Sequence, residues 1–228
     1  MSMTADAMAC SQTTHWRVPR LYGLADLGVI GATRLPEAVA QMALGGLAWI
    51  QLRMKQASGA LAERLVRACL ARVAGSGVAL WIDDRVDLAA MLPVAGVHLG
   101  QRDLSPGAAR RVLDGVVGRS SCRIGLSTHN EAQLRAAAAD PAVDVIAIGP
   151  VFETIGKQDP EPSVGLAGVR RARALTRGPL VAIGGIGADR LPAVLAAGAD
   201  SVALLGACCR GDVAANVARL RAALEAPS

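Results

Sequence analysis

Apolar residues along this chain gather into short unbroken runs. Each run closes on a polar residue or glycine, and an Ala, Leu and Arg-rich stretch of helical periodicity follows it. Eight such runs occur: Leu21–Asp26, Ala48–Arg53, Ala79–Asp84, Gly96–Gly100, Arg123–Thr128, Val145–Pro150, Leu180–Gly185 and Ser201–Gly206. A strand covered on both faces has no solvent side, so an unbroken run is the mark of a parallel sheet flanked by helices. Right-handed crossovers between parallel strands take about a dozen or more residues. Most spacings supply them; after Asp84, Arg85 to Pro93 leaves room for only about two helical turns. The pattern predicts the α/β class: a single (β/α)8 TIM barrel over residues 20–225 with a compressed third helix, preceded by a flexible N-terminal leader at 1–19.

Local signals agree. Thr33 stands before Pro36 and Glu37, Ser105-Pro106 opens another helix, and Gly77, Gly118, Gly178 and Gly198 punctuate helix ends. An open doubly wound sheet is the competing architecture. It calls for a glycine-rich fingerprint after the first strand, and Ala25-Asp26-Leu27-Gly28 is not one.

Composition refines this picture. The 228 residues come close to the roughly 250 of a typical barrel. Hydrophobic residues make up 52% and aromatics 2%, so a core of Ala, Val, Leu and Ile is expected, with Trp16, Trp49 and Trp81 as packing residues. The net charge of +5 is spread as arginines at helical spacings, and one Tyr and one Phe offer no stacking platform for bases, which argues against nucleic acid. Five cysteines without CxxC spacing argue against a disulfide framework or a zinc site and point to a reducing, cytoplasmic compartment. Neither a signal-length apolar core in the first 20 residues nor an apolar run of about 18 occurs, so no membrane partner is expected.

Barrel enzymes carry their chemistry at strand C-termini. Strand two ends in Gln51-Leu52-Arg53-Met54-Lys55, and alternation directs Gln51, Arg53 and Lys55 to one side. Two cations and an amide there suit a diphosphate; a solvated strand end paired with acids is the plain alternative. Strand three ends in Asp83-Asp84 and strand four leads to Asp103, so Asp84 and Asp103 can offer Mg²⁺ its one or two carboxylates. A structural salt bridge such as Asp84 with Arg53 explains these residues as well. The loop after strand six carries Thr154 and Lys157, and Gly184-Gly185 and Leu205-Gly206 follow strands seven and eight. Glycines there either admit a phosphate to backbone N–H groups or simply turn the chain. His98 reads as a buried, hydrogen-bonded histidine, His129 as that or a proton shuttle, and Cys208 and Cys209 as small buried residues of the helix after strand eight.

In their order along roughly residues 20 to 222, these motifs resemble the thiamine phosphate synthase family, barrel enzymes that join the pyrimidine and thiazole halves of thiamine. The likeness lies in Gln51 to Lys55, Ile82 to Ala89, Gly96-Val97-His98-Leu99-Gly100-Gln101-Arg102-Asp103-Leu104, Gly125 to His129, Gly149 to Phe152, and Val181 to Ile186. The resemblance implies a transferase for which Gln51, Arg53, Lys55 and Lys157 hold hydroxymethylpyrimidine diphosphate, with Arg53, Lys55 and Lys157 as the catalytic cations. It implies Mg²⁺ as cofactor on Asp84 and Asp103, and Ser127 or Thr128 against the pyrimidine. Thr154, Gly185, Leu205 and Gly206 would receive the thiazole phosphate. Small phosphate and diphosphate substrates are the implied partners, and a homo-oligomer stays open. Three positions depart from the family pattern: Asp83 stands beside the diphosphate where Asn is common, Gly156 precedes the loop lysine, and Gly206 replaces Ser. Two other functions compete. One is a thiazole tautomerase-like isomerase using His129; the other is a non-catalytic paralogue that binds a thiamine precursor.

Overall fold

A computed structural model describes residues 18–154 and 161–225. The predicted leader therefore falls almost wholly outside the described residues, as do Trp16, Gly156 and Lys157. Eight parallel strands close into a barrel in chain order: β1 (Leu21–Asp26), β2 (Trp49–Arg53), β3 (Ala79–Asp83), β4 (Gly96–Leu99), β5 (Arg123–Thr128), β6 (Val145–Ile148), β7 (Leu180–Ile183) and β8 (Ser201–Leu204). Pairing of Leu21 with Val202 and of Tyr22 with Ala203 completes the closure, so no open sheet edge remains. The open-sheet alternative is thereby excluded.

Among the described residues the helices are α1 (Leu27–Ile30), α2 (Leu35–Leu44), α3 (Gly59–Arg72), α4 (Val86–Met91), α5 (Pro106–Asp114), α6 (Glu131–Ala139), α7 (Gly165–Leu175), α8 (Leu191–Ala196), α9 (Gly206–Cys209) and α10 (Val213–Glu225). The short crossover after β3 holds the six-residue α4, the compression that its spacing predicts. Ser58, Ser105 and Asn130 cap α3, α5 and α6 through their side-chain oxygens, which satisfies N–H groups with no partner inside the helix.

Alternation along the strands sorts the core in two. Outward residues such as Ile50, Leu52, Leu80, Ile82, Val97 and Leu99 join the helix layer in one large cluster. Inward residues Tyr22, Leu24, Trp49, Trp81, Val145, Ala147, Val181 and Ala203 form a second, inside the barrel. Here Trp49 and Trp81, expected as packing residues, meet inside the barrel against Tyr22. Tyr22, Trp49 and Trp81 pack with ring centroids 5.1 to 5.9 Å apart, within the range of favourable aromatic pairs. Gly96 makes room for them, since a Cβ there would lie 2.4 Å from the Trp81 ring.

A repeated device ties the N-terminal face. Asp144, just before β6, accepts from Arg110 and Arg123 and from the Ile124 amide; Asp200, just before β8, accepts from Arg173 and the Leu180 amide. These links hold α5 and α7 to their strands and use arginines that looked merely scattered in the sequence.

Six predicted runs extend past the observed strands. At β3 and β7 the reason is backbone conformation: Asp84 has φ 63°, and Gly184 and Gly185 have φ 102° and 65°, none of them compatible with an extended strand. Ala48 precedes β2; the other residues left over follow their strands onto the C-terminal face, where Gly206 opens α9.

Candidate active site

On that face β1, β2, β3 and β4 deliver a compact group of charges. Arg53 closes β2 and points inward; its Nη1 donates to Asp26 Oδ2, and its Nε lies 3.8 Å from Asp83 Oδ2. Lys55, two residues beyond the strand, reaches back with Nζ 3.3 Å from Asp83 Oδ2 and donates a short hydrogen bond to Asp84. The pairing proposed from sequence, Asp84 with Arg53, is corrected: Arg53 pairs with Asp26 and Asp83, and Asp84 belongs to Lys55. Gln51, one turn of the pleat deeper, is buried and donates to the Tyr22 hydroxyl at 3.1 Å.

Asp84 is the unusual residue here. It is the one non-glycine residue with positive φ among the described residues, a strained conformation of the kind that collects at functional sites. One of its oxygens accepts from Lys55, while Oδ1 is buried with no hydrogen-bond partner among the described residues. Burial, the neighbouring Asp83 charge and the nearness of Asp103 raise its pKa to about 6 against the opposing pull of Lys55. Burial likewise raises Asp83, although Lys55 and Arg53 oppose it. For Lys55 burial disfavours the charge, but Asp84, Asp83 and Asp103 together prevail and its pKa rises. Among the described residues Asp26, Asp83 and Asp84 thus surround Arg53 and Lys55.

Asp103 sits in the loop before α5, with Oδ2 accepting from the Gly100 amide at 2.7 Å. Among the described residues no group of three or more His, Cys, Asp or Glu is arranged to hold a metal ion. Two carboxylates meeting at Asp84 and Asp103 are nevertheless what a Mg²⁺ site requires when water and substrate oxygens complete the shell.

Next around the barrel, His98 and Ser127 face inward, Nε2 to Oγ 2.9 Å. Burial, reinforced by the Lys55 charge, pushes the His98 pKa down to about 4. Gln101 donates to the Ser127 carbonyl at 2.7 Å. Thr128 faces the helix layer, is fully buried, and spends its hydroxyl on the Ala147 carbonyl. Of the two candidates only Ser127 reaches the interior. His129 Nδ1 lies 2.5 Å from the Gly149 carbonyl oxygen, which fixes its proton there.

On the far side, the turn at Gly184-Gly185 is shaped by its neighbour loop. A Cβ on Gly185 would meet the Glu153 carbonyl at 2.6 Å, and the Phe152 amide donates to Gly184. Arg190 donates to the Gly185 carbonyl and lies 4.5 Å over the Phe152 ring. Thr154 is half-buried at the last described position of that loop, and Leu205 and Gly206 follow β8, where a Cβ on Gly206 would meet open space. Two residues with a clear part in this geometry, Asp26 and Tyr22, did not emerge from the sequence as site residues. The one available signal was an aspartate closing a strand run.

Residues 21–208 match the family described as thiamine monophosphate synthase. The chain is 39% identical to the thiamine-phosphate synthase of Agrobacterium fabrum over 91% of this chain and 94% of that one. It is 42% identical to the thiamine-phosphate synthase of Koribacter versatilis, over 83% and 88% of the two chains. Among solved structures it resembles thiamine phosphate pyrophosphorylase from Pyrococcus furiosus, with a TM-score of 0.80, 27% identity, and coverage of 90% of this chain and 95% of that one. With the strand-end motifs, the closed eight-stranded barrel and the match over residues 21–208 in agreement, the chain belongs to the thiamine monophosphate synthase family.

Proposed function

We propose that this protein condenses hydroxymethylpyrimidine diphosphate with thiazole phosphate to give thiamine phosphate and diphosphate. The observation that carries the reading is the cluster of Arg53, Lys55, Asp83 and Asp84 at the mouth of a barrel of this family. In the reaction the C–O bond to the diphosphate breaks and leaves a pyrimidinylmethyl cation stabilised by its electron-rich ring. The thiazole nitrogen then captures that carbon with its lone pair. The protein has two tasks: to stabilise negative charge on the departing diphosphate and to hold the second substrate in line.

Arg53 and Lys55, joined by Lys157, perform the first task. Arg53 is a planar fork kept in place by Asp26, and Lys55 is a mobile point charge. Gln51 and Ser127 contact the pyrimidine. Thr154 and the backbone N–H groups of Gly185, Leu205 and Gly206 receive the thiazole phosphate; the open space beside Gly206 supports that assignment. Asp84 and Asp103 would hold Mg²⁺, and the buried Oδ1 of Asp84, with no hydrogen-bond partner among the described residues, fits a cation there. When bound, Mg²⁺ supplies charge stabilisation on the leaving group. Asp83 sits between the two cations, so its charge moderates them rather than facing the diphosphate alone.

Substituting Asp103→Asn tests this assignment. The variant should lose most of the rate, at least about a hundredfold, and bind Mg²⁺ more weakly by calorimetry. Full activity in the variant would sink the carboxylate assignment.

A further inference from the structure

We infer that His98 is a positioning residue that makes the Ser127 hydroxyl a hydrogen-bond donor toward the barrel mouth, so that the site selects an acceptor atom on the pyrimidine ring. The inference deepens the proposed function and rests on it.

His98 is buried on the inner face of β4, its Nε2 is 2.9 Å from Ser127 Oγ, and its Nδ1 is buried without a hydrogen-bond partner among the described residues. A neutral ring carries one proton, on Nδ1 or on Nε2. The surroundings of Nδ1 decide between them. A Cβ built on Gly125 would lie 2.4 Å from Nδ1, so one of the two Cα hydrogens of Gly125 points at that nitrogen. A lone pair tolerates an approaching C–H as a weak donor, whereas an N–H there would meet it hydrogen to hydrogen. A buried N–H with no acceptor is also the rarer kind of unsatisfied group. The proton therefore sits on Nε2, and Nε2 donates to Ser127 Oγ.

Once Ser127 Oγ accepts from His98, its own proton must go elsewhere. Among the described residues it meets no acceptor. The backbone at this point is held as well, since Gln101 donates to the Ser127 carbonyl. The serine thus presents an O–H, fixed from behind, to whatever enters the interior above it. A ring nitrogen with a free lone pair satisfies it; a ring N–H at the same place would face another donor. Gly125 belongs to the same device, because any side chain at that position would drive the imidazole away.

Three measurements on the full chain test this. In ¹⁵N spectra at neutral pH, His98 should show a protonated Nε2 and an unprotonated Nδ1. In steady-state kinetics, His98→Leu should raise KM for the pyrimidine diphosphate about tenfold or more, and Ser127→Ala by a similar factor. The double variant should be no worse than the poorer single one, because each removes the same contact. His98→Gln, whose amide nitrogen can stand where Nε2 does, should stay within about threefold of the wild type. Protonation at Nδ1, additive single effects, or a Gln variant as impaired as the Leu variant would each overturn the inference. Lack of any turnover in the wild type would instead defeat the proposed function, and the ring-nitrogen spectrum would then decide the part of His98 on its own.

Discussion

Asp26 divides its two carboxylate oxygens between different tasks: Oδ1 accepts from the Val29 amide at the start of α1, and Oδ2 holds Arg53. Removing a cap costs about 1 kcal/mol, and breaking a buried ion pair costs about 3–5 kcal/mol, reduced here because the Arg53 side chain is one-third exposed. Asp26→Ala should therefore lower stability by about 2 kcal/mol, read as a fall in the urea midpoint, and should raise KM for the diphosphate substrate by freeing Arg53. An unchanged midpoint would contradict the double role. This residue shows where sequence reading stops. Arg53 and Lys55 stand out because alternation puts cations at a strand end, but the partner of Arg53 lies 27 residues away and meets it only through the pairing of β1 with β2. The left-handed backbone of Asp84 was equally hidden, since nothing in an Asp-Asp-Arg string marks which aspartate turns the chain.

Strands and turns divide the work cleanly. Inward positions fill the barrel low down with three aromatic rings, while the same faces higher up carry Gln51, Arg53, Asp83 and Ser127. Eight apolar runs were legible because parallel strands buried on both sides have no polar alternation to confuse them. Their C-terminal limits were less so, because glycine continues an apolar run in composition while its φ ends the strand, as at Gly184. Trp49 and Trp81 read as packing residues, but their meeting with Tyr22 did not, because it arises only from β1, β2 and β3 being neighbours. Gly96 and Gly206 give a contrast at this scale. Gly96→Ala should cost about 1–3 kcal/mol by pressing on the Trp81 ring, whereas Gly206→Ala should change stability by less than about 0.5 kcal/mol. Thermal melts of the two variants check this, and equal melting points would contradict it.

Across the whole molecule, buried titratable groups make stability respond to pH and protect the thiols. His98 takes up its proton at about 4 in the folded state and at 6.5 when unfolded. Between these values the unfolded chain binds more protons, so this group's effect is absent above pH 6.5 and destabilises the fold progressively as pH falls toward 4. The full loss is on the order of 3 kcal/mol. Denaturation at pH 7 and pH 4.5 should show a larger drop for the wild type than for His98→Gln; equal drops would contradict the buried neutral ring. Cys69 and Cys208, pushed by burial to about 12, and Cys209, to about 11, should resist alkylation at pH 8 until the protein unfolds. Mass spectrometry of alkylated peptides reads this directly.

The two halves of the barrel mouth serve one condensation. The most direct measurement supplies purified protein with Mg²⁺, hydroxymethylpyrimidine diphosphate and thiazole phosphate, and quantifies thiamine phosphate and released diphosphate beside the Asp84→Asn variant. The wild type should form equal amounts of the two products, and the variant should run at least about a hundredfold more slowly. No thiamine phosphate at saturating substrates, or an undiminished rate in Asp84→Asn, would contradict it.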